Sequence, residues 1–140
     1  MSLLLAPVVR ARRLFSPRVG RISPFVKGNP LAEARSLNRA GYVTAAVFMA
    51  RMAIERRLHE LMVAHPMVTC SKQQKGIHAA ATVLLAVKSI QKHEVAVIER
   101  FCCKANKIVH GTTTTKLHAR RLIVQAGRVL SMLEKKGGAV

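Results

Sequence analysis

The chain has no Asp and no Trp, and its entire acidic complement is six Glu in 140 residues. So few carboxylates argue against a multi-carboxylate magnesium site, because that ion is held by convergent oxygen ligands. Aromatic residues are also scarce, with one Tyr and four Phe. The core must therefore be built from Ala, Val, Leu, Ile and Met, an alphabet that suits packed helices better than strands. The three cysteines, Cys70, Cys102 and Cys103, make no disulfide framework and read as small core residues in a reducing compartment. Cys102 and Cys103 are adjacent, so on a helix they point to different parts of its surface. His59 and His65 are six residues apart and would not converge on one metal along a helix. No metal and no cofactor is expected. The longest stretches free of Lys, Arg and Glu, Ala40–Ala50 and Gly76–Val87 among them, are too short to span a bilayer.

What is abundant is positive charge. Twenty-four Lys and Arg leave a net charge of +18. Such a balance attracts polyanions, with nucleic acid or an anionic membrane surface as candidates. A basic, ribosome-associated structural protein would carry the same balance. Residues 1–28 stand apart. Arg10, Arg12, Arg13, Arg18, Arg21 and Lys27 occur there with no acid, and Pro7, Pro17 and Pro24 interrupt any long helix. This segment reads as a flexible basic arm for nucleic acid, as an Arg-rich organelle-targeting peptide, or as a tail from a mistaken start codon. The expected location is cytoplasmic, or organellar if the arm is a targeting peptide.

From Asn29 the pattern is helical, and residues 29–136 are expected to form one domain. Asn29 suits a helix cap before Pro30 at the first helical position. That helix should run from Leu31 to about Ala40 and stop at Gly41. A second is predicted from about Tyr42 to His65, with Val43, Val47, Ala50, Ile54, Leu58 and Leu61 on its inner face. Arg51 and Glu55 are spaced there for an i,i+4 pair. A third is predicted from about Lys72 to Lys88, with Ile77, Ala81, Leu84 and Val87 or nearby residues inward. The fourth follows a connection near Ser89–Lys92, with Val95, Ile98, Cys102, Ala105 and Val109 as its seam, and closes at His110-Gly111. Thr112–Thr115 reads as a link rich in capping hydroxyls. The last helix, about Lys116 to Lys135, turns Leu122, Ala126, Val129 and Leu133 inward. Residues 137–140 are expected to form a disordered tail. Short connections imply an antiparallel bundle of four to five helices. Arg120, Arg121 and Arg128 on the last helix are candidates to line a nucleic-acid groove.

The stretch Lys104-Ala-Asn-Lys-Ile-Val-His110-Gly111 carries the most specific chemistry. Asn106 and His110 are four residues apart, which places amide and imidazole on one helical face at a helix end. Such a pair is either a hydrogen-bonded structural feature or a phosphate-sized site.

Two blocks together resemble the HEPN superfamily of small helical-bundle domains. The first is Ala40-Gly41-Tyr42-Val43-Thr44-Ala45-Ala46-Val47, continuing through Ala50-Arg51-Met52-Ala53-Ile54-Glu55. The second is Phe101 to Gly111, similar to that family's basic–Asn–three residues–His-Gly helix end. The resemblance covers roughly residues 30–134. It implies a metal-independent ribonuclease or a non-catalytic RNA-binding relative, a homodimer through the second and fourth helices, and an antitoxin-like or nuclease-system partner. By resemblance, Asn106 matches the polar position and His110 the histidine. The Arg expected just before Asn106 is absent, since Ala105 stands there, leaving Lys104, or Arg100 one turn earlier, to supply charge. In an active member His110 would move protons, Lys104 or Arg100 would offset phosphorane charge, and the RNA 2′-hydroxyl would be the nucleophile. Glu55 resembles the family's helix-two acid, for which a salt bridge to Arg51 or to a basic motif residue is the favoured role. The missing Arg favours the non-catalytic reading.

Overall fold

The computed structural model describes residues 28–68 and 76–137. The basic arm with Arg10, Arg12 and Arg13, together with Cys70 and the expected helix start at Lys72, lies outside the described residues. Among the described residues five helices form and no strand: α1 (Pro30–Arg39), α2 (Val43–Ala64), α3 (Ile77–Ala86), α4 (Lys92–Val109) and α5 (Lys116–Gly137). Together they make a helical bundle around one contiguous apolar core. α5 includes Gly137, which the sequence pattern assigned to the tail.

α2 is the central element and touches each of the other four helices. That position explains why it buries more than the single stripe expected from periodicity. Ala46, Met49, Ala53 and Met62 are buried beside Val47, Ala50, Ile54, Leu58 and Leu61, whereas Val43 is only partly buried. A helix covered on several sides needs apolar residues around most of its circumference.

The α4 seam is also rotated from the expected one. Val95, Ile98 and Ala105 are buried as expected, but Phe101 and Ile108 fill the places assigned to Cys102 and Val109. Cys102 and Val109 are half-buried, and Cys103 is exposed rather than part of the core. The physical reason is size: turning Phe101 inward buries far more apolar area than a cysteine would. In α3, Val87 caps the helix and is only partly buried. Ile90, in the following connection, is sealed at 1% exposure instead.

Three helix ends share one turn chemistry. At the end of α1 the Gly41 amide donates to Asn38 O (3.1 Å) and the Tyr42 amide to Leu37 O (2.9 Å). At the end of α4 the Gly111 amide donates to Ile108 O (3.1 Å) and the Thr112 amide to Lys107 O (2.9 Å). This paired pattern needs a left-handed residue just past the cap, which glycine adopts without a Cβ penalty. The φ values of Gly41 and Gly111 are 92° and 113°. α3 ends in the same way, but with Lys88 at φ 58°. Its amide donates to Leu85 O (3.0 Å), and the Ser89 amide donates to Leu84 O (2.9 Å). A left-handed non-glycine residue costs about 1–2 kcal/mol, partly returned by the smaller entropy of its unfolded chain. Lys88→Gly should therefore raise stability by about 0.5–1 kcal/mol, read as a higher denaturant midpoint at unchanged slope. A lower midpoint would show that the lysine side chain stabilises this turn.

Candidate nucleic-acid interface

Local sequence rules position each wall of a groove lined by four cations. α1 begins as its cap predicts, with the Asn29 side chain accepting from the Leu31 amide at 3.0 Å and the Ala32 amide at 3.4 Å. With Leu31, Ala34 and Asn38 turned inward, Arg35 and Arg39 emerge on the exposed side, four residues apart. α5 begins with Thr115 Oγ1 accepting from the His118 amide at 3.1 Å. Burial of Ala119, Leu122 and Ile123 leaves Lys116 and Arg120 exposed, again four apart.

α1 packs against α5, and these two basic edges become opposite walls of one groove of about 620 Å³. Arg35, Asn38 and Arg39 line one side; Lys116, Leu117, Arg120, Ile123 and Val124 line the other. Four cations and no acid face this space. Asn38 lies between the walls at 6% exposure. Its Nδ2 donates to Lys116 O at 3.1 Å, while its buried Oδ1 has no partner.

A second groove of about 630 Å³ continues along α5. It holds Arg120, Arg121 and Arg128, with Val97 of α4 across from them. The three arginines singled out in the sequence thus share one surface. Arg35, Arg39 and Lys116 were not among the expected residues. Their i,i+4 spacings are visible in the sequence, but nothing in either helix alone says that the two basic edges face each other.

Three of the six acids are engaged in ion pairs away from this groove. Glu60 pairs with Arg56 at 3.1 Å and Arg57 at 3.2 Å. Glu99 lies 3.0 Å from His78 Nδ1, joining α3 to α4. Glu94 accepts from Lys136 Nζ at 2.9 Å, joining α4 to the end of α5. No ion pair among the described residues involves Arg35, Arg39, Lys116 or Arg120.

Arg100, Lys104, Asn106 and His110 line neither groove. His110 caps α4, and its amide donates to Asn106 O at 2.9 Å. Asn106 is half-buried with an unpartnered buried Oδ1, while the rest of His110 is exposed. The pair shares a face, as spacing of four requires. Lys104 and Arg100 are both exposed. Around the helix, however, Lys104 lies roughly 200° and Arg100 roughly 120° from Asn106. Neither follows the Asn106–His110 face.

Arg51 and Glu55 of α2 both lie close enough to Cys102 to influence its thiol. Burial pushes that thiol up to about 11; Arg51 opposes the shift, while Glu55, Glu99 and Cys103 add to it. Cys102 is therefore a protonated, weakly reactive thiol at neutral pH. Among the described residues, Arg51 and Glu55 do not form the ion pair that their spacing permits. Arg51 Nε is buried without a partner. Among the described residues no three His, Cys or Glu side chains gather where they could hold a metal, and no helix is long and apolar enough to cross a membrane.

No protein-family model, curated protein or solved structure matches the chain.

Proposed function

We propose that this chain is a HEPN-like antiparallel helical domain that binds nucleic acid, RNA foremost, without cutting it. The observation that supports binding is the groove between α1 and α5, whose lining holds Arg35, Arg39, Lys116 and Arg120 and no acid. Arg121 and Arg128 extend that surface along α5. Cations without protein counter-ions are available to replace the condensed counter-ions of a polynucleotide. The non-catalytic reading draws on the divergence of Lys104 from the Asn106–His110 face and on the absence of all three residues from the lining of the basic grooves.

Affinity for a single-stranded RNA should fall steeply with salt, with a log–log slope near 0.7 per phosphate contacted. Replacing Arg121 and Arg128 by Ala should flatten that slope and weaken binding to all sequences alike. Fluorescence anisotropy across a salt series checks this. Affinity that is the same at low and high salt would refute the electrostatic basis of the proposal.

A second reading, a metal-independent endoribonuclease, draws on one specific observation: an exposed His110 beside a half-buried Asn106 whose Oδ1 is unpartnered. Incubating RNA with the wild type and with His110→Ala, EDTA present, separates the two. Non-catalytic binding requires intact RNA with both proteins. Cleavage by the wild type that His110→Ala abolishes would establish the second reading.

A further inference from the structure

The arrangement of the α1–α5 groove suggests more than general attraction to polyanions. Its four cations come as two i,i+4 pairs, Arg35 with Arg39 and Lys116 with Arg120, on opposite walls. Four residues advance a helix by about 6 Å, close to the separation of successive phosphates along an A-form strand. Each wall therefore carries two cationic side chains rooted about one phosphate spacing apart along the helix. Arginine supplies three of the four cations, and its planar fork suits phosphate oxygens. Lys116 is also the first residue of α5, where the positive end of the helix dipole adds to its charge.

Asn38 supplies an independent sign that the groove is a built feature. The residue is only 6% exposed, and its side chain ties α1 to the first residue of α5. The Lys116 carbonyl it contacts is positioned to accept an intrahelical bond in any case. The Asn38 Oδ1 remains unpartnered, and a buried unpaired acceptor is a cost to folding. An apolar side chain of similar size would avoid that cost. The asparagine instead fixes the separation of the two cationic walls. The groove lining contains no aromatic residue, so it offers no stacking platform on which to read bases.

We infer that the α1–α5 groove is a two-phosphate site that grips consecutive phosphates of a single strand, independent of sequence, with Asn38 as a positioning residue that holds its walls in register. This rests on the nucleic-acid reading for its physiological ligand, although the same chemistry would accept a free polyphosphate.

The test uses the full chain, a mixed-sequence single-stranded RNA and, separately, inorganic pyrophosphate. Three variants are compared: Arg35→Ala with Arg39→Ala, Asn38→Leu, and Lys92→Ala with Lys107→Ala, which removes the same charge from exposed positions of α4. The α1 double variant should bind RNA at least tenfold more weakly than the α4 double variant. Asn38→Leu should lose affinity severalfold with no loss of charge and no loss of thermal stability. Pyrophosphate should shift the side-chain Nε–H resonances of Arg35, Arg39 and Arg120 and should compete with RNA. Equal weakening by the two double variants, with Asn38→Leu unchanged, would overturn the two-phosphate site while leaving general nucleic-acid binding intact. Pyrophosphate binding without RNA binding would uphold the site and reject the nucleic-acid reading. Absence of both would reject both.

Discussion

Phe101→Ala should destabilise the domain by about 3–5 kcal/mol, the cost of removing a large side chain from a site that cannot collapse. Phe101 is fully buried, with 0% exposure, on the face of α4 that enters the core. Truncation leaves a cavity bordered by helices whose other contacts hold them apart. Domains of this size have about 5–15 kcal/mol of total stability, so the loss would lower the denaturant midpoint sharply and could leave the chain largely unfolded. Cys102→Ala, at the neighbouring half-buried position, should cost less than about 1 kcal/mol. A Phe101→Ala variant that unfolds within about 1 kcal/mol of the wild type would show that α4 does not pack as described. The pair of substitutions reads the rotation of α4 directly, because a seam centred on Cys102 would reverse the order of the two effects.

Glu94→Ala should cost about 2–4 kcal/mol. Two effects combine here. The Glu94 carboxylate accepts from the Gln91 amide at 2.8 Å, securing the start of α4, and loss of such a cap costs about 1 kcal/mol. It also accepts from Lys136 at 2.9 Å while its own side chain is only 7% exposed. Removing one partner of a buried pair is costly because the other charge is stranded, although Lys136, at 26% exposure, recovers some hydration. Glu94→Gln keeps an acceptor for the Gln91 amide and should lose less.

The pair also sets an acid dependence. Burial pushes the Glu94 carboxyl upward, but the Gln91 amide, Lys136 and, more weakly, His93 outweigh it, so the net shift is below the ordinary value of 4.5. A carboxyl lowered by folding stabilises the fold fully above its unfolded value. That contribution disappears as pH falls through the lower folded value. The stability gap between wild type and Glu94→Gln should therefore be constant near neutrality and close progressively below about pH 4.5. A gap that stays the same down to pH 2 would mean that the charge on Glu94 contributes nothing.

Much of the helix plan is legible from local chemistry. Asn29-Pro30 starts α1, Gly41 and Gly111 end α1 and α4, and Thr115 starts α5, because capping and left-handed turns depend on a few neighbouring residues. The inward face of α5 is also legible, since one side of that helix remains open to solvent and its apolar stripe is well separated from its charges. The common face of Asn106 and His110 follows from spacing alone. The divergence of Lys104 from that face follows from the same helical geometry, although the short motif directs attention to residue order rather than to angle.

The sequence by itself determined the helical class of the described residues, the chemistry of most helix ends and an excess of cations that its six Glu could not neutralise. Tertiary structure decided the rest. It buried α2 around most of its circumference by placing four helices against it, and it turned Phe101 rather than Cys102 into the core because packing rewards the larger apolar surface. It also brought Arg35 and Arg39 opposite Lys116 and Arg120, residues 77 or more positions apart. Periodicity fixes which side of a helix a residue occupies, but not which other helix that side will meet. The groove exists only because α1 and α5 pack together, and that pairing is set by the shared core rather than by either basic edge.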